Sequence, residues 1–201
     1  MKSEKNKPKF LYTIKFIIVG DQKVGKTSIL HSFSKGKISN FYLATIGIDY
    51  LSKDIKIDDR IFHLQIWDSA GQERYRSLTR GYYCKAACAL ITYDITDYKS
   101  FESVKNWIEE IKLYTNPNIH LILVGNKMDL KEKRVISTEK GKKLAEKYEL
   151  TFFESYDLTG ENINTIFFNA CKVINENITN EIYDFNNPTN GIKITDLNFC
   201  F

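Results

Sequence analysis

Apolar residues along the chain fall into short continuous runs separated by stretches with helical spacing. The runs at 16–19, 87–93 and 121–125 are typical of central strands in a parallel sheet. Apolar positions recur three and four residues apart over 101–111 and 163–174, which predicts two amphipathic helices. The alternation of strand and helix predicts an α/β fold, with a mostly parallel sheet covered by helices on both faces. In such a fold the ligand lies at the carboxyl ends of the strands.

Two segments with a period of two residues flank the polar turn Asp58-Asp59. Apolar and polar side chains alternate over 51–57 and again over 62–67, which predicts an antiparallel hairpin. The alternation places two large aromatic residues, Tyr50 and Trp67, on the polar face of this hairpin. Two interpretations remain open. Either Trp67 is a partly buried residue without a binding role, or Tyr50 and Trp67 form an aromatic surface that binds a partner.

The composition is that of one globular domain with polar ends. The 201 residues are 43% hydrophobic and 27% charged, and the net charge of +4 is too small to indicate a nucleic-acid-binding protein. Lysines concentrate at the start of the chain, and the sequence becomes polar and asparagine-rich after residue 177. We therefore expect a basic arm over 1–9, an α/β domain over 10–176 and a flexible tail over 177–201.

Cysteine usage and hydropathy indicate a cytoplasmic protein. The four cysteines lack the spacing of a zinc site, and free thiols fit a reducing compartment. No window approaches the ~20 apolar residues that cross a bilayer, and the first residues lack the apolar core of a signal peptide. We expect a cytoplasmic monomer.

The segment Gly20–Thr27 fits the pattern G-x-x-x-x-G-K-[ST] and directly follows the first apolar run. A strand, a glycine loop and a helix N-terminus form a polyphosphate site, because loop N–H groups and the positive helix end face the anion. In this pattern the lysine reaches the β- and γ-phosphates, and the threonine hydroxyl ligates Mg²⁺. The predicted phosphate-binding residues are Gly20, Asp21, Gln22, Lys23, Val24, Gly25, Lys26, Thr27 and Ser28.

A second motif, D-x-x-G-Q, begins at the end of the hairpin. Asp68 stands at the strand end, where a carboxylate can hold Mg²⁺ directly or through water. Gly71 lets a backbone N–H approach the terminal phosphate closely, and Gln72 can orient an attacking water. Together with the P-loop upstream, the motif predicts hydrolysis of a nucleoside triphosphate, with Gln72 as the catalytic residue.

The third motif, Asn126-Lys127-Met128-Asp129, follows the apolar run at 121–125. A carboxylate at this place can accept two hydrogen bonds from N1–H and the 2-amino group of guanine. Adenine lacks this donor pair, so Asp129 predicts selection of guanine. The aliphatic stem of Lys127 can lie on the face of the base.

These motifs, in this order, resemble those of small GTPases of the Ras superfamily, most closely the Rab family. The resemblance covers about residues 10–178 and includes Thr45-Ile46-Gly47 and Tyr93-Asp94-Ile95-Thr96. It implies a P-loop GTPase fold, whose six-stranded, mostly parallel sheet has one antiparallel edge strand and helices on both faces. It also implies that Thr45 joins Thr27 and Asp68 at Mg²⁺ in the GTP state.

The resemblance also implies a function. Rab proteins are GDP/GTP switches that bind and slowly hydrolyse GTP with Mg²⁺ and recruit effectors in vesicle traffic. They work with an exchange factor, a GTPase-activating protein (GAP) and a GDP-dissociation inhibitor. The aromatic triad with which they bind effectors matches Tyr50, Trp67 and Tyr82, beside the switch loops. Residues 44–53 and 73–78 most resemble the Golgi-associated subgroup in retrograde traffic.

Several residues around the expected guanine pocket depart from the Rab pattern. Ile38 stands where Rabs usually place an aromatic ring that stacks on the base, with Phe41 nearby as an alternative ring, and Tyr42 follows in the same loop. Tyr156-Asp157 replaces the usual Ser-Ala after the sixth strand. The backbone N–H of Asp157 can still meet guanine O6, although its carboxylate brings negative charge near that oxygen. Four of these residues are expected at the nucleotide: Ile38, Tyr42, Tyr156 and Asp157.

Two other classes of function remain open. Gln22 fills a P-loop position that is often small, where it can crowd the attacking water. This favours, as an alternative, a nucleotide-binding interaction module with little or no hydrolysis. A P-loop ATPase or kinase is the second alternative, and Asp129 argues against it because a carboxylate there selects guanine.

Membrane attachment is expected to be peripheral. Rab proteins commonly end in two prenylated cysteines, whereas here Cys200 alone precedes Phe201. One lipid chain holds a protein at a membrane only marginally. We therefore expect a cytoplasmic pool that associates reversibly, through Cys200, with the cytosolic face of Golgi or other endomembranes.

Overall fold

The computed structural model describes residues 10–34, 48–69, 79–156 and 162–196. Its strands are β1 (Phe10–Val19), β2 (Ile48–Ile57), β3 (Arg60–Ser69), β4 (Cys88–Asp94), β5 (His120–Asn126), β6 (Thr151–Glu154) and β7 (Ile192–Asp196). Its α-helices are α1 (Lys26–Ser34), α2 (Thr79–Tyr83), α3 (Tyr98–Tyr114), α4 (Thr138–Tyr148) and α5 (Ile163–Thr179). Short 3₁₀ turns cover Lys131–Lys133 and Pro188–Asn190.

The strands form one sheet in the order β2-β3-β1-β4-β5-β6. Strands β3, β1, β4, β5 and β6 run parallel to one another, β2 pairs antiparallel with β3 at the edge, and β7 pairs antiparallel with β1. The β2–β3 hairpin turns at Asp58, whose φ of 54° lies in the left-handed region that aspartate tolerates better than most residues. The predicted mostly parallel sheet, its antiparallel edge strand and the hairpin are confirmed.

Helices cover both faces of the sheet, as predicted. On one face α1 and α5 pack over β1 and β3, with the Phe33 and Phe167 rings stacked 4.0 Å apart at the centre of the cluster. On the other face α3 buries Val104, Ile108 and Ile111 against β4. The side chain of Asp97 caps α3 by accepting a hydrogen bond from the N–H of Lys99, which fixes where the helix begins. No helix within the described ranges is long and apolar enough to span a bilayer.

The structure describes regular elements in part of the segment 177–201, where we expected a flexible tail. Helix α5 continues to Thr179, and β7 pairs antiparallel with β1 in the register Phe10↔Asp196 to Ile14↔Ile192. β7 lies on the same side of β1 as β4, which pairs only with residues 16–19 of β1. The tail therefore fills an edge of β1 that β4 leaves uncovered. Residues 1–9 and 197–201 lie outside the described ranges.

Residues 180–196, here called the C-terminal strap, are tied to the domain at several points. Tyr183 and Ile192 are buried in the core cluster beneath α5. The N–H of Lys15 donates to the carbonyl of Gly191 at 3.2 Å. Gly191 has φ 70°, and a Cβ there would lie 2.2 Å from the carbonyl oxygen of Lys85, so only glycine fits this close approach. Composition alone did not predict regular structure in this segment, because few of its side chains are apolar.

Candidate nucleotide-binding site

The P-loop joins the carboxyl end of β1 to the start of α1. Gly20 (φ 140°) and Gly25 (φ 97°) supply the backbone conformations of the turn. A Cβ on Gly20 would lie 2.2 Å from the carbonyl oxygen of Thr92, so this position admits only glycine. The loop therefore sits directly over the ends of β1 and β4, where an α/β sheet binds its ligand.

Lys26 is held inside this loop. Its side chain is buried, and Nζ donates to the carbonyls of Gly20 at 2.7 Å and Asp21 at 2.6 Å. An ammonium group fixed among backbone groups at a helix N-terminus presents positive charge to an anion. The structure thus places Lys26 where the sequence pattern requires it.

Thr27 and Asp68 meet beside the loop. The Thr27 hydroxyl donates to Oδ2 of Asp68 at 2.5 Å, and the Asp68 side chain is buried. The two residues approach because Asp68 pairs with Ile18 at the carboxyl ends of β3 and β1. A hydroxyl and a carboxylate are hard oxygen donors of the kind that Mg²⁺ prefers. This donor pair fits a magnesium ion; Thr45, the third expected ligand, lies outside the described residues.

A pocket of about 350 Å³ opens over the P-loop. This volume lies within the range of small-molecule sites. Cationic and polar residues of the P-loop, of the start of α1 and of the third motif line this pocket. The lining residues are Gln22, Lys23, Gly25, Lys26, Thr27, Ser28 and Lys127.

The Asn126 side chain connects the end of β5 to the P-loop. It is fully buried, its Nδ2 donates to the Val24 carbonyl at 2.9 Å, and its Oδ1 accepts from the Ser155 hydroxyl at 3.0 Å. Asn126 therefore fixes the position of the loop from below. The Met128 N–H donates to the Ser155 carbonyl, which sets the course of the backbone toward Asp129.

The charged residues of the third motif, Lys127 and Asp129, keep part of their side chains exposed, whereas Met128 packs against the core. Lys127 has φ 65°, lines the pocket and pairs with Asp94, with 2.6 Å between Nζ and Oδ2. Asp129 is exposed, so its carboxylate is accessible. Tyr156 is half-buried next to Ser155, at the end of β6.

Two residues that belong to none of the three motifs also support the site. Ser155 orients Asn126, as described above, and its own N–H donates to the Gly125 carbonyl at 2.9 Å. Trp107 on α3 donates from Nε1 to Oδ1 of Asp21 at 2.8 Å and so ties the P-loop to a helix far along the chain. Sequence spacing could not reveal either contact, because both depend on how separate elements pack.

Comparison with known proteins agrees with this geometry. A model of the Ras family matches residues 15–176. The Ras-related protein RABE1e of Arabidopsis thaliana is 40% identical over 185 residues, which cover 92% of this chain and 84% of the relative.

The chain belongs to the Ras family of small GTPases.

Its Rab character and its hydrolysis of GTP follow from these two matches together. The predicted Rab family and P-loop GTPase fold are thereby confirmed, while the Golgi subgroup stays a prediction. Within this GTPase, six of the predicted site residues lie outside the described ranges. They are Ile38, Tyr42, Thr45, Gly71, Gln72 and Asp157.

The expected effector surface of this GTPase needs one correction. Tyr50 is 44% exposed and meets the Trp67 ring edge-on at 5.4 Å, so the hairpin does present an aromatic pair. Tyr82, the expected third member, is only 4% exposed. Its hydroxyl lies 2.8 Å from the carbonyl oxygens of both Ile18 and Trp67. Tyr82 therefore supports Trp67 from beneath and is not part of the exposed surface.

Proposed function

We propose that this protein is a Rab-type GDP/GTP switch that binds guanine nucleotide with Mg²⁺ and recruits effectors in Golgi-related vesicle traffic. The observation that carries the proposal is the joining of three motifs at one edge of the sheet. Lys26 lies in the phosphate loop, Thr27 meets Asp68 beside it, and Asn126 ties the same loop to the segment that ends at Asp129.

Selection of guanine is the part of this proposal that one substitution tests directly. Asp129→Asn exchanges an acceptor pair for a side chain that also donates, so binding of GDP should weaken and binding of xanthosine diphosphate should improve. Calorimetry with GDP, ADP and xanthosine diphosphate measures all three affinities. Asp58→Asn, in the exposed β2–β3 turn, is a matched control. Equal affinity of the native chain for ADP and GDP would refute the proposal.

Magnesium would be held by Thr27 and Asp68 from the described residues, with Thr45 as the third ligand by resemblance. When bound, the ion would neutralise phosphate charge next to the P-loop lysine. The fold already holds the Thr27 hydroxyl and the Asp68 carboxylate next to each other without the ion. Thr27→Ala should therefore weaken the dependence of GDP affinity on Mg²⁺, and an unchanged dependence would contradict this role.

Hydrolysis is expected to be slow without a GAP, because Gln72 can position water but no arginine supplied in cis is evident in the motifs. The alternative, an interaction module with little hydrolysis, is favoured by Gln22, which lines the pocket. Single-turnover hydrolysis of bound GTP separates the two. Gln72→Leu should slow a working enzyme further, whereas a rate near the typical ~10 per second of metabolic enzymes would contradict the switch.

Effectors are proposed to bind the switch loops and the aromatic pair of the hairpin. The exposed Tyr50 and its contact with Trp67 support this assignment, since aromatic anchors dominate many interfaces. Exchange factor, GAP and GDP-dissociation inhibitor are the other kinds of partner that the family implies. Tyr50→Ala should reduce capture of effectors by the GTP-loaded protein without changing nucleotide affinity, and loss of nucleotide binding would contradict this role.

A further inference from the structure

The phosphate pocket contains a lysine that the P-loop pattern does not require. Lys23 occupies one of the variable positions between Gly20 and Gly25, where any residue satisfies the motif. Its side chain is exposed, and it lines the pocket together with Lys26 and Lys127. A third positive charge therefore stands at the place where polyphosphate is expected.

The backbone of Lys23 is in a conformation that favours glycine. Its φ is 65°, in the left-handed region where a Cβ approaches the following carbonyl oxygen. Such strain concentrates at binding sites, where the surrounding structure maintains it. The loop conformation itself would favour glycine, so it does not account for a lysine at position 23.

The other two lysines of the pocket already have partners within the protein. Lys26 donates to two carbonyls of the loop, and Lys127 pairs with Asp94. Lys23 makes no hydrogen bond or ion pair with any part of the chain that the structure describes. The positive charge still available to a ligand at the rim is therefore that of Lys23.

The position of Lys23 in the pocket indicates which part of a nucleotide it meets. Lys26 is buried at the floor, next to Thr27 and its partner Asp68. Lys127 stands on the segment that leads to Asp129, on the base side. Lys23 is exposed at the rim of the same pocket, and it belongs to the loop whose backbone N–H groups cradle the α- and β-phosphates in this motif, so its side chain starts beside that part of the nucleotide.

We propose that the Lys23 ammonium group pairs with the diphosphate that GDP and GTP share, and that this contact slows release of either nucleotide. The inference rests on the proposed binding of guanine nucleotide. An exposed ion pair changes an equilibrium by about two- to five-fold, and salt screens it. Because the contact is the same for both nucleotides, it affects their affinity and leaves the preference between GDP and GTP unchanged.

Release of a fluorescent GDP tests the proposal on the full chain. Protein loaded with N-methylanthraniloyl-GDP and Mg²⁺ is mixed with excess GDP, and the fluorescence decay gives the release rate. Lys23→Gln removes the charge and leaves a polar side chain only one bond shorter, so release should accelerate about two- to five-fold at low salt. The acceleration should vanish at ~1 M salt, where the Debye length is about 3 Å. Lys23→Arg should release at the native rate.

Two further variants complete the design. Lys85→Gln is the matched control, since Lys85 is also an exposed lysine at positive φ (60°) but lies outside the pocket. Its release rate should equal that of the native chain. Lys23→Gly removes the charge and the backbone strain together, so it should fold at least as stably as the native chain and still release GDP faster. It provides the measurement if Lys23→Gln folds poorly.

The possible results separate this inference from the proposed function. Normal loading with unchanged release from Lys23→Gln and Lys23→Gly would overturn the role of Lys23 alone. Faster release that persists undiminished at high salt would overturn it as well, because the effect would then not be electrostatic. Failure of the native chain to bind the fluorescent GDP at all would overturn the proposed function together with this inference.

Discussion

Replacing Ile192 by alanine would show whether the C-terminal strap is part of the folded domain. Ile192 begins β7, pairs with Ile14 of β1 and is only 6% exposed. It belongs to the same core cluster as Tyr183, the other buried anchor of the strap. Ile194, two residues further along the strand, pairs with Tyr12 and is 39% exposed. The two isoleucines therefore form a matched pair of the same residue type within one strand.

The magnitude of the effect follows from this difference in burial. Deleting the buried part of an isoleucine by Ile→Ala costs about 2–5 kcal/mol in a protein core. Ile192 keeps 6% of its surface exposed, so we expect the free energy of unfolding to fall by about 2–3 kcal/mol, at the lower end of this range. For a chain of this size that corresponds to a decrease in Tm of about 4–12 °C. Ile194→Ala should cost about half as much, since 39% of this residue is exposed.

Urea unfolding of both variants, followed by circular dichroism, measures these free energies. Every sample must contain the same excess of GDP and Mg²⁺, because bound ligand adds to the apparent stability. Equal and small effects of the two substitutions would mean that the strap is not docked in solution. A deletion of residues 180–201 that leaves Tm unchanged would lead to the same conclusion.

Three other predictions concern single side chains. Burial lowers the pKa of His120 from 6.5 to about 4. Below pH 6.5 the folded state therefore binds fewer protons than the unfolded chain. The free energy of unfolding is at its full value above pH 6.5 and declines as the pH falls toward 4. Between pH 7 and 5 the native protein should lose about 1–2 kcal/mol more than His120→Gln in urea titrations, and equal losses would contradict a buried neutral imidazole. Ile38→Phe should slow GDP release by restoring a ring at the base, where stacking contributes about 1–3 kcal/mol in single-strand binders; unchanged release would mean that another group already covers guanine. Cys200→Ser should move the protein from endomembranes into the soluble fraction on cell fractionation, and membrane association that survives the substitution would show a different anchor.

Local signals explain why so much of the fold could be predicted from sequence. The run at 87–93 became β4, and the helical spacing over 101–111 became the buried face of α3. The P-loop was predictable because its glycines and its lysine are required by backbone geometry and charge within eight consecutive residues. In each of these cases the residues that determine the structure are close in sequence.

Contacts between distant segments explain what could not be predicted. Helix α4 buries only Gly141 and Ala145, and Gly141 is required because a Cβ there would lie 2.5 Å from the Tyr93 hydroxyl. Leu144 and Tyr148 are only partly buried beside them, so the apolar stripe of this helix is weak. Tyr82 matched a surface aromatic by position, but its hydroxyl fits between backbone groups of β1 and β3, which only the assembled sheet brings together. β7 likewise depends on the length of β1 that β4 leaves unpaired.

Lys15 lies where the strap, the end of α2 and the aromatic pair meet. Its N–H donates to Gly191, and its Nζ lies 3.0 Å from the Cys84 carbonyl oxygen and 4.6 Å from the centre of the Trp67 ring. Burial lowers the pKa of this lysine, so these contacts are made in a partly desolvated place. The resemblance to Rab proteins implies a second switch over residues 68–80, and this range would overlap the start of α2. If α2 shifts between the GDP and GTP states, the shift would stretch these contacts or carry them along, and the coupling between strap and switch would then act in both directions.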